Sequence, residues 1–326
     1  MPALTAEQLE HFRTDGYVVV EDVLSPDDVL EPLEVEYAKV LDKLADELFE
    51  GGKISSTYAG LPFGERLTRV YQDSGKVHSG YFDFSLPQNG ISHDTPMWHG
   101  PAVFSTLTAP SLLDAVESII GSEIYSNPVQ HVRMKPPEHL TPKDESGRVQ
   151  LGATPWHQDL GVVTEAADDT DMLTVWIPVW DANEEAGCLQ LVPWSQNEGL
   201  AFHCAGPNAA TPGLHIPDDQ FRIEDAVAMP MKRGSALFMH RMTCHGSLPN
   251  KSERIRWSLD LRYNPIGQST GRDVFPGFVA RSKAHPETEL DDPEAWAQSW
   301  IDARELLAQH DNPEFKRWDT DDPSCA

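Results

Sequence analysis

The stretch Arg256-Trp257-Ser258-Leu259-Asp260-Leu261-Arg262-Tyr263 (RWSLDLRY) alternates between polar and apolar side chains along its whole length. Successive side chains of a β-strand point to opposite faces, so the pattern predicts a strand with one apolar and one polar face. The polar face carries Arg256, Ser258, Asp260 and Arg262. Because a planar guanidinium can hold a carboxylate through two parallel hydrogen bonds, this face is a candidate binding surface.

Short segments that are alternating or apolar occur between about residues 124 and 265. Turn-forming residues separate them, as at positions 181–187. Several short strands with such spacing are typical of a β-sandwich or barrel, here with helices on either side. The further predicted strands are QHVRMK (130–135), LTVWIPVW (173–180), CLQLV (188–192) and SALFM (235–239).

Helical patterns lie before and after this β-rich region. Most begin with an N-terminal signal, either a capping box or a proline just after an N-cap residue. No internal repeat or low-complexity linker interrupts the chain, so we expect one domain over residues 1–326. The predicted elements are a helix from Thr5 to Asp15, a strand at 17–20, a helix from Ser25 toward Phe49, a helix at 111–121 and a helix from Asp292-Pro293.

The charge of the chain restricts its partners. With 52 acidic and 25 basic residues, the formal net charge is −27 at pH 7, which argues against nucleic acid and anionic membrane surfaces. We expect no membrane span, because no apolar run approaches the roughly 18–20 residues that a span requires. The N-terminal residues lack the apolar region of a signal peptide, so a cytoplasmic location is expected.

The cysteines show no paired spacing. Cys188, Cys204, Cys244 and Cys325 include no C-x-x-C motif, so the sequence predicts neither a zinc site nor a disulfide framework. Reduced thiols in a cytoplasmic protein are the simplest interpretation.

A second polar motif, TPWHQDLG at residues 154–161, places His157 and Asp159 two positions apart. In an extended segment both side chains would point to one face and could bind one ion, although unrelated polar residues can show the same spacing. A non-haem iron site needs two imidazoles and one carboxylate. His245 lies 88 positions after His157, and Arg256 follows eleven positions later, so the chain offers a second imidazole and a carboxylate clamp.

In this order, the motifs resemble the phytanoyl-CoA dioxygenase family of Fe(II)- and 2-oxoglutarate-dependent oxygenases. The resemblance covers most of the chain and implies a double-stranded β-helix (jelly roll, cupin-like) core over about residues 124–265, mainly β with flanking helices. It rests on HFRTDGYVVVEDVLSPDDV (11–29), KPP (135–137), WHQD (156–159), TVWIPVWDANEEAGCLQLVPWS (174–195) and HGSLPNKSERIRW (245–257).

Carried over by position, the resemblance implies that His157, Asp159 and His245 bind iron and serve catalysis. Arg256 would hold the distal carboxylate of 2-oxoglutarate, with O2 as the other cosubstrate. The implied reaction hydroxylates, or otherwise oxidises, an unactivated C–H bond of a small molecule and releases succinate and CO2. The further residues implied at the cosubstrate are Ser258, which would assist the arginine, and Trp176, Ser247, Gln158, Lys135 and Gln130.

Two features depart from the family pattern. The family often has Pro-Gly-Ser-His where this chain has Pro193-Trp194-Ser195-Gln196, so we expect Trp194 near the pocket mouth. Residues 139–153 lengthen the loop before the metal motif and are a candidate lid. The acidic exterior favours a neutral or cationic substrate over a polyanionic thioester; the sequence predicts neither the substrate's identity nor the oligomeric state.

Two other functions are weighed against the oxygenase. A non-catalytic cupin-like binding protein would leave the buried charges of the triad and of Arg256 without partners. A cupin metalloenzyme that does not use 2-oxoglutarate would have no need of Arg256. His99 and His240 are expected to have structural roles. Arg254 is an alternative to Arg256 only if the spacing from His245 is ignored. Arg262 and Arg272 are expected to form salt bridges rather than to recognise an acidic substrate.

Overall fold

The part of the chain that the computed structural model describes, residues 4–205 and 214–309 with residues 315, 317, 318 and 325, has a β-rich middle and helical ends. The α-helices are α1 (Ala6–Asp15), α2 (Glu31–Glu50), α3 (Phe63–Ser74), α4 (Pro101–Leu107), α5 (Pro110–Ile120) and α6 (Pro293–Ala308). The strands are β1 (Tyr17–Val20), β2 (Glu123–Ser126), β3 (His131–Lys135), β4 (Leu173–Pro178), β5 (Leu189–Leu191), β6 (Cys204–Ala205), β7 (Leu214–His215), β8 (Val227–Met229), β9 (Ala236–His240), β10 (His245–Ser247), β11 (Arg256–Pro265) and β12 (Phe278–Ser282).

The helix boundaries follow the predicted capping signals. The Thr5 side chain accepts from Gln8 N, and the Gln8 side chain accepts from Thr5 N, which confirms the capping box at the start of α1. Gly16 ends this helix in the left-handed region at φ +80°, which glycine adopts without strain. The second predicted helix begins with a π-helical turn at Pro26–Leu30, capped by Ser25, and continues as α2.

Strand β11 organises the larger of two main sheets. This sheet has the order β1-β9-β4-β11-β2-β12, and β3 also pairs with β11. On one side β11 pairs with β4; on the other it pairs first with β3, where Arg256 is opposite Lys135, and then with β2. A second sheet has three strands in the order β10-β5-β8, and its strands β5 and β10 line the opposite wall of a cavity. Strands β6 and β7 form a separate pair.

The two faces of β11 confirm the alternation seen in the sequence. Trp257, Leu259, Leu261 and Tyr263 are at most 1% exposed and pack in the main core with the helices. The Tyr37 ring of α2 meets the Trp257 ring edge-on, at 5.4 Å between centroids. Each such buried side chain contributes about 1.5–3 kcal/mol through removal of apolar surface from water. Packing on the apolar face therefore holds the polar face of the same strand against the cavity.

The expectation that no apolar run approaches the length of a membrane span is wrong for residues 101–120. By length and composition this segment could cross a membrane, with a mean hydropathy of 1.3, although we expected no such run. The structure divides it into α4 and α5, and Pro110 begins the second helix. Half of the segment is buried inside the protein, so its apolar side chains serve the core.

Cys204 and Cys325 correct the expectation of reduced thiols. They form a disulfide bond although 121 positions separate them in the chain. Cys188 and Cys244 are free and buried. Near the disulfide, the Trp318 indole donates to Gly161 O at 2.7 Å, so C-terminal residues contact the loop that carries the metal motif. Sequence spacing could not predict this pairing, because only the fold brings the two cysteines together.

Candidate active site

A cavity of about 540 Å³ lies between the two main sheets. One side is lined by side chains of β3, β4, β9 and β11, and the other by β5 and β10. Residues of the segment 148–155 close the remaining side. The motifs that the sequence places far apart, at positions 135, 157, 245 and 256, all contribute to this single space.

Backbone pairing brings His157 and His245 together. The N–H of each residue donates to the carbonyl oxygen of the other, at 2.9 Å in both directions. Their ring centroids are 4.3 Å apart. His245 belongs to β10, which is fixed by its pairing with β5. The two imidazoles therefore lie side by side on a hydrogen-bonded frame.

Hydrogen bonds orient both imidazoles. His157 Nδ1 lies 2.8 Å from Pro155 O, and His245 Nδ1 lies 2.9 Å from Thr243 O. A carbonyl can only accept, so each Nδ1 donates and a neutral ring keeps its lone pair on Nε2. Burial, followed by the nearby His245, lowers the pKa of His157 to about 3. That ring is neutral at pH 7 and can bind a metal ion.

Asp159 completes a set of metal-binding groups. His157 Nε2 lies 3.7 Å from Asp159 Oδ1, and His245 Nε2 lies 4.0 Å from Asp159 Oδ2. One potential ligand atom from each residue lies within 4.8 Å of the others. Two imidazoles and one carboxylate form the donor set of non-haem iron sites. The residues present therefore fit an iron ion.

The backbone after Asp159 packs closely. Asp159 begins a short 3-10 turn, Asp159–Val162. A Cβ at Gly161 would meet the His203 ring at 2.3 Å, so this turn needs glycine to approach the ring. Gln158 fixes the turn from the other side. Its side-chain Nε2 donates to Gly199 O and Met242 O, and its Oε1 accepts from Ala201 N.

Two side chains of the larger sheet hold the Asp159 carboxylate. Arg262 donates to Oδ1 and Thr174 donates to Oδ2. Burial alone would raise the pKa of Asp159, but Arg262 and the two imidazoles hold it well below its ordinary value. The expectation that Arg262 forms a salt bridge is confirmed. Sequence reasoning did not predict that its partner would be the metal-site residue Asp159. The available signal was its position on the polar face of β11.

Two buried cations lie near the start of β11. Arg256 and the opposite residue, Lys135 of β3, are 2% and 5% exposed. Arg256 donates to Ser258 Oγ at 2.8 Å, so this serine orients the guanidinium. Burial lowers the pKa of Arg256 to about 10 and lowers that of Lys135 well below its ordinary value. Among the described residues neither cation forms an ion pair with a carboxylate; Asp260 is linked to Arg256 only through Ser258.

Some of the predicted cosubstrate residues lie at the cavity or support its cations, and others do not line the cavity. Trp176 lines the cavity, with its ring 5.7 Å from the Arg256 guanidinium. Ser247 Oγ accepts from Lys135 Nζ at 3.2 Å and supports that cation. Gln158 and Gln130 are buried but do not line the cavity. The side chain of Gln158 is directed to the loop backbone. Contact of Gln158 and Gln130 with the cosubstrate stays a prediction.

Trp194 corrects the prediction of a bulky side chain at the pocket mouth. Its side chain is 53% exposed, and its indole donates to the Asp15 carboxylate at the end of α1. The backbone N–H of Trp194 also donates to Asp15 O at 3.0 Å. The residue is thus tied to the N-terminal helix and does not line the cavity.

The loop 139–153 does reach the cavity. Arg148, Val149 and Leu151 line it, and an antiparallel bridge joins Lys143 to Val149. The Gln150 side chain accepts from Val77 N and donates to Gly75 O, which anchors the loop beside the end of α3. The loop forms a wall of the cavity, and its action as a lid stays a prediction.

The remaining candidates lie outside the cavity. His240 ends β9 and does not belong to the metal-binding cluster, and His99 stacks on Trp300 of α6 with ring centroids 5.1 Å apart. Arg254 is exposed and precedes β11, so it does not compete with Arg256. Arg272 donates to Val162 O at 2.9 Å and forms no ion pair with any residue that the structure describes, contrary to expectation.

Comparison with known proteins agrees with this site. The sequence model of the family "Phytanoyl-CoA dioxygenase (PhyH)" matches residues 12–258. Phytanoyl-CoA dioxygenase domain-containing protein 1 of Danio rerio is 25% identical over 273 residues, covering 78% of this chain and 88% of that protein. The 1-deoxypentalenic acid 11-beta-hydroxylase of Streptomyces arenae is 28% identical over 199 residues, covering 55% and 66%. The apo structure of ThoJ, a non-heme monooxygenase, aligns with a TM-score of 0.58 at 16% identity, over 93% of this chain and 97% of that one.

The core is a double-stranded β-helix, as the resemblance implied. Its cavity brings together the two histidines, the carboxylate and the arginine that the resemblance implied. Because the family match covers most of the sequence and includes all four residues, the chain belongs to the phytanoyl-CoA dioxygenase family.

Proposed function

We propose that the protein hydroxylates a C–H bond of a small-molecule substrate, using O2, iron(II) and 2-oxoglutarate and releasing succinate and CO2. One observation carries this proposal: a single cavity combines a donor set for iron with two buried cations that lack a carboxylate partner among the described residues. Buried charges without a partner are costly. An anionic cosubstrate beside Arg256 and Lys135 would offset that cost.

Each residue at the metal has a distinct task. His157 and His245 would bind iron through Nε2, because their Nδ1 atoms are engaged by backbone carbonyls. Asp159 would supply the anionic ligand. Iron bound in this way, with 2-oxoglutarate, supplies the activation of O2 that the protein's own side chains lack.

The cation pair would hold the distal carboxylate of 2-oxoglutarate. Arg256 offers a planar fork, and its hydrogen bond to Ser258 fixes the plane of that fork. Lys135 Nζ is held by Thr154 Oγ1 at 2.6 Å and by Ser247 Oγ. The Trp176 ring beside Arg256 excludes water from this region, which strengthens each charge-assisted hydrogen bond.

The charge of the cavity favours a substrate with an anionic group. Its lining includes five cationic side chains (Arg133, Lys135, Arg148, Arg256 and Arg262) and three carboxylates (Glu138, Asp159 and Asp260). Iron(II) and the 2-oxoglutarate dianion would cancel one another, so the formal charge of the loaded cavity stays positive. The net charge of −27 is that of the whole chain, and its sign is opposite to that of the cavity lining, so it is a poor guide to the substrate. The similarity to a 1-deoxypentalenic acid hydroxylase supports a carboxylic acid.

Anaerobic titration with Fe(II) and 2-oxoglutarate tests the reaction class. We expect a weak visible charge-transfer band only when both are present, together with a raised melting temperature. A ligand at one hundred times its Kd stabilises the folded state by about 2.7 kcal/mol. If neither ligand changes the spectrum or the melting temperature, the proposed function is wrong. Iron binding without any response to 2-oxoglutarate would instead indicate the cupin metalloenzyme.

Aerobic incubation then separates a catalyst from a binding protein. Small carboxylic acids and their primary amides, offered in pairs, are scored for succinate formation and for the gain of one oxygen in the mass spectrum. We expect acids to be oxidised in preference to amides. A preference for the amides would contradict the anionic substrate while leaving the oxygenase assignment intact.

A further inference from the structure

We infer that Arg262 is a positioning residue for the iron ligand Asp159, and that Thr174 assists it. This role presupposes the iron site proposed above and adds the two groups that fix the direction of its carboxylate. Neither residue belongs to the His-Asp-His cluster.

Two hydrogen bonds within the protein fix the position of Arg262. It lies on the same face of β11 as Arg256, six positions later, and is 7% exposed. One guanidinium nitrogen donates to Val129 O at 2.7 Å, and another donates to Asp159 Oδ1. Because two nitrogens of one planar group are engaged, the guanidinium cannot rotate without breaking a buried hydrogen bond.

Thr174 reaches the same carboxylate from the neighbouring strand. In the register between β11 and β4, Arg262 is directly opposite Thr174. Thr174 is 4% exposed and donates to the second oxygen, Asp159 Oδ2. Each carboxylate oxygen thus receives one hydrogen bond from a rigid sheet and keeps lone-pair capacity for a metal ion. The cross-strand pair determines which way the carboxylate faces.

Two opposing effects decide how Arg262 influences iron. A positive charge repels Fe(II), but here that charge is already paired with Asp159 at contact distance. The orienting effect remains, and loss of a group that orients a metal ligand typically weakens metal affinity 10- to 100-fold. Orientation should therefore outweigh repulsion, and removal of Arg262 should weaken iron binding.

The test is anaerobic Fe(II) titration of the full-length wild type, Arg262→Gln, Arg262→Lys and Thr174→Val. We expect affinity to fall about 10- to 100-fold in Arg262→Gln, less in Arg262→Lys, and about tenfold in Thr174→Val. Arg281→Gln is the matched control, because Arg281 also forms ion pairs, with Asp114 and Glu117 on α5, but is remote from the cavity. Its iron affinity should equal that of the wild type.

A second readout separates positioning from a loosened fold. At saturating metal, 2-oxoglutarate affinity should stay within threefold of the wild type in Arg262→Gln and Thr174→Val, whereas a distorted cavity would weaken both ligands. Iron affinity within twofold of the wild type, or tighter, in both variants would overturn the role of Arg262 and Thr174. If Arg262→Gln does not fold, Thr174→Val and Arg262→Lys decide the question. Absence of iron binding by the wild type would instead reject the proposed function.

Discussion

The two ends of β11 handle buried charge in opposite ways. Near the metal ligands, Asp159 is paired with Arg262 and Thr174, so that its charge is compensated within the protein. At the start of the strand, Arg256 and Lys135 are buried with hydroxyl groups as their hydrogen-bond partners. The first arrangement is compensated within the protein, whereas the second would acquire its counter-charge from the proposed 2-oxoglutarate. Substitutions at the two ends should therefore shift the stability of the ligand-free protein in opposite directions.

The largest effect is expected from Asp159→Gly. Loss of the anionic iron ligand should reduce 2-oxoglutarate-dependent succinate formation to the level without enzyme. It should also leave Arg262 buried without its partner, which typically costs about 3–5 kcal/mol of folding free energy. Succinate assays and denaturant unfolding of the ligand-free protein measure the two losses.

A double variant shows whether the two losses have separate causes. Asp159→Gly combined with Arg262→Met should recover most of the lost stability, because no unpaired charge remains, but it should recover no activity. Full turnover in Asp159→Gly would remove Asp159 from the ligand set. Unchanged stability in that variant would contradict the compensation described for this end of β11.

The sequence correctly predicted the features that depend on a short local pattern or on a family motif. The alternation at residues 256–263 indicated both faces of β11, and the capping box at Thr5 marked the start of α1. The spacing of His157, His245 and Arg256 predicted residues that the fold does place in one cavity. These signals were readable because each depends on strand periodicity, on a local hydrogen bond or on a family motif.

Arg256→Lys should have the next largest effect. It tests the start of β11, where Arg256 and Lys135 lack a carboxylate partner among the described residues. Lysine keeps the charge but lacks the two-point fork, so 2-oxoglutarate affinity should fall by about 1.5–3 kcal/mol. That range corresponds to roughly 10- to 150-fold in Kd. Iron affinity should hardly change. Equilibrium binding of 2-oxoglutarate at saturating metal measures the effect.

Arg254→Lys is the control for this substitution. Arg254 is exposed and donates to Asp181 O at 3.0 Å, outside the cavity. Its replacement should leave 2-oxoglutarate affinity unchanged. A loss in Arg254→Lys that equals the loss in Arg256→Lys would show that the clamp is not the one that the cavity indicates.

Contacts between distant segments could not be read from the sequence. Trp194 was expected at the pocket because of its place in a motif, yet the end of α1 provides its partner, Asp15. The disulfide between Cys204 and Cys325 and the pairing of Arg262 with Asp159 likewise depend on which strands and loops become neighbours. The place of a residue in a sequence motif indicates where its backbone lies. It does not indicate which neighbours its side chain contacts after folding.

The smallest predicted effect, for Lys135→Met, tests the comparison most directly. Burial, together with Arg256 and Arg133, lowers the pKa of Lys135 well below its ordinary value of 10.5. The folded state therefore binds fewer protons at this site than the unfolded chain does. Consequently, the wild-type free energy of unfolding should increase with pH from the lowered pKa of Lys135 up to the ordinary value of 10.5.

Methionine at position 135 would remove both the buried charge and its contribution to this pH dependence. Ligand-free Lys135→Met should be more stable than the wild type by roughly 1 kcal/mol at pH 7, since replacing buried charge with an apolar group of similar size is often stabilising. The difference should shrink by pH 9. Lys43→Met, on the exposed side of α2, should show neither effect. Denaturant unfolding at both pH values measures them. A ligand-free Lys135→Met protein that is less stable than the wild type would mean that Lys135 is already compensated, and the contrast between the two ends of β11 would then rest on Arg256 alone.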